Sequence, residues 1–424
     1  MMEKLSRRRL DRIENILIAL LTCTALFLVG KTGLFQAVTG PENGQGGAIA
    51  FSGFQGMVLS RETPVGMMVQ TAQGRYGVRY DQQAADDLYH SGLEDVLIQT
   101  LAAMDDPKSV SQEAWQQAVT QAESWVCYDF LYNVSFDSSR REREGRIFLV
   151  TAKDGRVEEI YYYNQETGEY AASRLRDGEI PLPEAMDRLT PNGGQFAFEV
   201  EELELPAYMM ILPQSPTCRV YQVSNPLAEL DSAARDGFLE KLDFNTRASS
   251  VYESADGTVI REGADTLRIQ KDGMVSFHGS DNGDARYRAL SPGHTDLRIK
   301  AEEILDQILA DIPSDGRMCC QKVEVLEDGS VELTFCCLLD GAEVRLWKEG
   351  WAARFVFRGM DLSSFEICLR QYQVTEATCA ILPERQAAAA AKAMGQMGKE
   401  LRLCYRDDGS GDRLSAVWVV REPG

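Results

Sequence analysis

Arg146-Ile147-Phe148-Leu149-Val150-Thr151-Ala152-Lys153-Asp154-Gly155-Arg156-Val157-Glu158-Glu159-Ile160-Tyr161-Tyr162-Tyr163 reads as two β-strands joined by a tight turn. Asp154-Gly155 tolerates the left-handed backbone of a two-residue hairpin, and strand-forming residues flank it on both sides. The spacing predicts strands from Arg146 to Ala152 and from Arg156 to Tyr163, with another from Val126 to Val134 before them. In such a strand Tyr162 faces away from Tyr161 and Tyr163. The tyrosine run is therefore expected to cover both sides of a sheet rather than to make a carbohydrate-stacking platform.

Towards the N-terminus, Met57–Ser60, Gly66–Gln70 and Arg75–Asp81 are predicted strands. A helix follows from Gln82 to Met104, with Leu88, Leu93, Val96, Leu97 and Leu101 at helical spacing, and stops before Pro107. Ser109-Val110-Ser111-Gln112 offers a capping box for a second helix containing Trp115, Ala118 and Ala122. Towards the C-terminus, Phe196, Phe198 and Val200 alternate like a strand, followed by strands at Tyr208–Leu212 and Cys218–Val223. A helix is expected from Leu227 to Leu242, then hairpins turning at Asp256-Gly257 and Asp272-Gly273. An amphipathic helix from Thr295 to Ile312 carries Leu297, Ile304, Leu305, Ile308 and Ile312 as one stripe. Further turns are expected at Asp328-Gly329 and Asp340-Gly341, and Pro383 opens a helix through Ala387–Ala391. That helix is read as packed on the closing strands, Leu401–Tyr405 and Ala416–Val420, beside Trp418. A partner-binding surface that includes Met394 and Met397 is the alternative.

Helices and strands are grouped rather than alternating singly, which predicts an α+β fold with mainly antiparallel sheet. The expected divisions are a basic head at 1–12, a membrane anchor at 13–35, a linker at 36–50, an α+β domain at 51–194, a β-rich middle domain at 195–290 and a C-terminal α+β domain at 291–424.

The anchor is expected because Lys4, Arg7, Arg8, Arg9 and Arg12 precede an apolar run from Ile16 to Val29. Positive charge ahead of an apolar span holds the N-terminus in the cytoplasm and places the rest of the chain outside. A helix from Ile13 to Phe35 is long enough to span if Lys31 snorkels to the outer headgroups. A cleaved signal peptide is the rival, and Phe35-Gln36-Ala37 is its nearest and poor cleavage site. Thr22, Thr24, Ala25 and Gly30 are the candidate partner-binding residues, since small side chains let membrane helices approach closely. Gly40 to Gly47 reads as a flexible linker.

The first 30 residues carry five basic and three acidic groups, net +2, so the formal charge of -21 leaves -23 for the remaining 394. Such a surface repels phosphate backbones, and nucleic acid is not an expected partner; the lipid bilayer is. The chain has ten cysteines, with Cys319-Cys320 and Cys336-Cys337 as adjacent pairs. A two-residue turn at Asp328-Gly329 would set Cys320 opposite Cys337, where a disulfide or buried apolar filling are both open. Zinc is not expected, because His90, His278 and His294 are far apart and strand neighbours point to opposite faces. No phosphate loop, dinucleotide fingerprint, paired-histidine zinc motif or nucleophile elbow is present in the sequence. The acidic pairs Glu201-Glu202 and Asp105-Asp106 lack calcium-loop spacing. No catalytic residue, cofactor or metal is therefore expected, and an enzyme is disfavoured.

The order of elements resembles the YycH-type regulators. Arg75-Tyr76-Gly77-Val78-Arg79-Tyr80-Asp81 stands before two helices, and Trp125-Val126-Cys127-Tyr128-Asp129-Phe130-Leu131 enters a sheet, as in their N-terminal part. Lys300-Ala301-Glu302-Glu303-Ile304-Leu305, Arg370-Gln371-Tyr372, Leu382-Pro383-Glu384-Arg385-Gln386-Ala387, Leu401 with Cys404-Tyr405, and Ala416-Val417-Trp418-Val419-Val420 are similar to the related YycI and YycH module. The resemblance implies a non-enzymatic accessory protein of Gram-positive bacteria. Its implied partners are a membrane sensor histidine kinase governing cell-wall metabolism and a paralogous accessory protein. On this resemblance the ending departs from the pattern, since a further strand of some related modules would be missing after Val420. An extracytoplasmic binding module for cell-wall glycan or peptide is the alternative function.

Overall fold

The computed structural model describes residues 63–136, 144–176, 178–200, 202–228, 231–280, 285–347 and 350–422, all within one compact unit spanning Phe54–Gly424. The expected anchor with Thr22, Thr24, Ala25 and Gly30, the linker and the Met57–Ser60 strand lie outside the described residues. The described residues are α+β, with mostly antiparallel sheets and few helices. None of these helices is long and apolar enough to cross a membrane.

The first sheet contains β1 (Gly66–Thr71), β2 (Gly74–Arg79), β3 (Lys108–Val110), β4 (Ser124–Ser135), β5 (Glu144–Lys153), β6 (Arg156–Asn164) and β7 (Glu169–Arg174). Its spatial order is β2-β1-β4-β5-β6-β7-β3, antiparallel throughout. Lys153 pairs with Arg156, so Asp154-Gly155 is the expected two-residue turn, with φ of 50° and 73°.

One face of this sheet holds Val126, Tyr128, Phe148 and Tyr162 against α1 (Gln82–Leu88) and α2 (Glu94–Ala103). The other face holds Trp125, Cys127, Leu149 and Tyr163 against Trp115 and Val119 of α3 (Gln112–Gln121). Cover on both sides explains why β4 and β5 read as apolar runs instead of alternating. Tyr162 and Tyr163 do face opposite cores.

Several local expectations are corrected. The Gln82–Met104 helix is interrupted by a wide turn at Tyr89–Leu93, where Gly92 has a φ of 110° that no helical residue adopts. Ser109 lies in β3, and Ser111 caps α3 by accepting from the Ala114 amide, so the cap stands two residues later than expected. The strand expected through Val200 ends after β8 (Gln195–Phe196) and becomes a 3-10 turn at Ala197–Glu199. The Glu199 carboxylate accepts from the Phe196 amide at 2.8 Å and pairs with Arg75, which folds the segment back.

The largest sheet joins stretches that are distant in sequence. It comprises β11 (Ser250–Ser254), β12 (Gly257–Glu262), β13 (Asp265–Gln270), β14 (Met274–His278), β15 (Arg317–Val325), β16 (Val331–Leu339), β17 (Ala342–Leu346), β18 (Ala353–Arg358), β19 (Asp361–Cys368), β21 (Glu400–Asp407) and β23 (Ala416–Arg421). Strands from 250–278 and from 317–421 thus share one sheet, with β14 hydrogen-bonded to β19. Between them, α4 (Ser232–Lys241) and α5 (His294–Leu309) cover one face through Leu239, Leu297, Ile304 and Ile308. A smaller sheet runs β20 (Gln371–Cys379), β10 (Cys218–Ser224), β22 (Arg413–Leu414), and β9 (Met210–Ile211) pairs with β8. Finally α6 (Glu384–Ala393) buries Ala387 and Ala388 in the same cluster as Leu401 and Trp418, while Met394 and Met397 stay exposed.

The cysteine register differs from expectation. Leu326 and Ser330 close a three-residue loop in place of the two-residue turn, and a bulge between Cys320 and Lys322 shifts the register again. As a result Cys320 faces Phe335, Cys337 faces Met318, and Cys319 faces Cys336; none of these is disulfide-bonded. The first of the middle hairpins also slips: Ser254 pairs with Gly257, so its turn is Ala255-Asp256.

Candidate functional site

The first and largest sheets meet along a seam built from charge. Strand β4 departs from its pairing with β5 between Asp129 and Val134, a bulge in which Leu131 takes a φ of 71°. For a bulky residue that backbone is costly, about 1–3 kcal/mol. The Asp129 carboxylate accepting from the Leu131 amide at 2.8 Å helps to hold it. The bulge turns Leu131 and Tyr132 out of their own sheet to pack with Val65, Cys319, Cys336 and Leu338.

Behind this contact runs a chain of ion pairs. Arg146 donates to both Asp129 oxygens, at 3.0 and 3.2 Å, and its Nη2 stands 2.6 Å from Glu400 Oε1. Glu400 accepts from Arg402 at 2.7 Å; Arg421 and the Tyr132 hydroxyl donate to Glu343 at 2.6 and 2.9 Å. Both Arg146 and Glu400 are 0% exposed. Three carboxylates thus face three guanidinium groups, so the buried seam is neutral. Burial opposes the charge on Glu400, but Arg146 and Arg402 outweigh it and hold its carboxyl far below the usual carboxylate range. A second buried pair, Arg79 with Glu384 at 2.6 Å, ties β2 to the start of α6. Glu384 is pushed up by burial, against the pull of Arg79.

At the mouth of the seam lies a cleft of about 710 Å³. Tyr132 and Asn133 line it from the first sheet, and Lys322, Arg345, Trp351 and Arg421 from the C-terminal half. Arg421 is held by Glu343 and Lys322 by Glu324, whereas among the described residues Arg345 has no ion-pair partner. The arrangement suits non-covalent recognition, with cations and amides around an indole.

The expected partner-binding residues Thr22, Thr24, Ala25 and Gly30 lie outside the described residues. The histidines are dispersed: His90 is exposed against Glu94 at 2.9 Å, His278 is exposed at a strand end, and His294 opens α5. Among the described residues no group of histidine, cysteine and carboxylate could hold a metal ion. Sequence reading missed the seam entirely. One signal was present, since Glu400 and Arg402 alternate with Leu401 and Leu403 in a strand whose two faces are both covered.

Neither the protein-family models, nor the curated proteins, nor the solved structures compared with this chain yield a match.

Proposed function

We propose that this chain is a non-enzymatic accessory subunit of a sensor histidine kinase controlling cell-wall metabolism, held at the membrane by its N-terminal apolar run, with its folded body outside. The basic head ahead of the apolar run supports the topology. The observation that carries the mechanism is the clamp at the start of the described fold. Thr63 donates to Asp86 at 2.7 Å, and accepts from Gln82 of α1 and from Arg317 of β15. Thr63, where the described fold begins, is therefore held by elements of both halves of the body at once. Such a subunit acts by contacting two states of its partner with different free energies.

The test is substitution in the anchor. Thr24→Leu and Ala25→Leu keep the span apolar but obstruct close helix approach. Kinase output in cells and co-purification of the kinase should both change at equal protein level. Unchanged output in both variants, with loss of output on replacing the body, would move the contact outside the membrane.

The alternative reading, a binding module for cell-wall glycan or peptide, is favoured by one observation, the cleft lined by Trp351 and by Arg345, which has no ion-pair partner among the described residues. On that reading Trp351→Ala should weaken retention on cell-wall fragments at least tenfold while leaving the unfolding midpoint in place. Retention equal to wild type would remove this reading.

A further inference from the structure

Two cysteine pairs are direct cross-strand neighbours, and they differ in access. Cys319 faces Cys336 in β15 and β16, both essentially sealed at 2% and 0% exposure under Leu131 and Tyr132. Cys218 faces Cys379 at matching ends of β10 and β20, with Cys379 half-buried at the surface. Opposed residues of an antiparallel pair bring their Cβ atoms to about 4.5–5.5 Å, close to disulfide range. The Cys218 thiol, 3% exposed, donates to the Pro216 carbonyl at 3.8 Å at this strand end.

We propose that Cys218 and Cys379 form a reversible disulfide that staples β10 to β20. The oxidant is a small-molecule disulfide. The Cys379 sulfur, as thiolate, attacks one sulfur of the reagent, whose S–S bond breaks and whose departing thiolate takes up a proton. Cys218 then gives up its proton and attacks the Cys379 sulfur of the mixed disulfide, releasing the second reagent thiol. Two protein thiols are oxidised, one reagent disulfide is reduced to two thiols, and the protons lost by the protein are carried by those thiols. Burial pushes the Cys218 thiol up to about 12, whereas Cys379 is only half-buried at the surface, so access makes Cys379 the sulfur that the reagent meets first.

The staple bears on a cleft as well as on stability. Residues Pro213 to Thr217, just before β10, and Arg219 within it line a second cavity of about 450 Å³ with Tyr80 and Asp340. Fixing the end of β10 fixes one wall of that cavity. The bond also closes a loop through most of the middle of the chain, the case in which a cross-link constrains the unfolded state most.

The experiment uses the full chain, incubated with oxidised glutathione, alkylated, digested and analysed by mass spectrometry. The expected product is one linked peptide joining Cys218 to Cys379, with the loss of two hydrogens. Tm should rise by roughly 5 °C and return on adding reductant. Cys379→Ala should abolish both effects, and Cys319→Ala should leave the linked peptide in place. Linkage through Cys319, Cys320, Cys336 or Cys337 instead, a stable mixed disulfide at Cys379 without ring closure, or no reaction of the native chain would each overturn the proposal.

Discussion

Glu400→Ala is expected to destabilise the folded body by about 3–5 kcal/mol, the usual cost of leaving buried charges without their partner. Arg146 and Arg402 would lose their shared carboxylate in a place with no access to water. Replacing Arg146 by methionine together with Glu400 by leucine should recover part of that loss, because an apolar pair needs no desolvated charge. The same carboxyl sets an acid limit. Its folded pKa is depressed, so the stability it contributes is fully present above its unfolded pKa of about 4.3 and is lost progressively as pH falls from there towards the depressed folded value. Urea midpoints of the wild type should fall between about pH 5 and pH 3, and Glu400→Gln should show a shallower fall. A wild-type midpoint independent of pH across that window would remove Glu400 from the account.

Trp115→Ala should cost a similar amount, about 3–5 kcal/mol, through the cavity it leaves. The indole is 0% exposed and meets Phe196, Phe198 and Tyr170 with ring centroids at 5.1, 5.8 and 5.9 Å. It is the side chain on which the 196–198 turn rests, so its loss should also expose that segment to protease. Trp115→Phe should cost much less, because the buried indole N–H has no hydrogen-bond partner among the described residues to lose. Equal losses for the two variants would show that the ring volume is not what holds the turn.

Both predictions fall on groups of very different legibility. Trp115 was placed on its helix by pattern alone, since apolar residues at helical spacing after a serine cap leave little choice. The seam was not legible in that way. Asp129, Arg146, Glu343 and Glu400 sit in four strands separated by up to a few hundred residues, and nothing local to any one of them points across to the other sheet. Only where the two sheets meet does Arg146 reach Glu400 and the Tyr132 hydroxyl reach Glu343. The cleft is likewise assembled from both halves, so no window of sequence contains it.

What the sequence determined by itself was the kind of element at most positions, because side-chain period, caps and turn dipeptides act over a few residues. Asp154-Gly155 and Asp340-Gly341 turned as their composition requires, with positive φ at both residues of each pair. The sequence also determined the class, α+β with mainly antiparallel sheet, through the grouping of those elements. Tertiary structure decided register and partnership. A three-residue loop near Asp328 and one bulge at Cys320 were enough to move Cys320 away from Cys337, since each single-residue slip turns a strand's side chains to the other face. It also decided which charges are buried together, because the free energy of an ion pair depends on a neighbour supplied by a distant strand and on the water that both strands exclude.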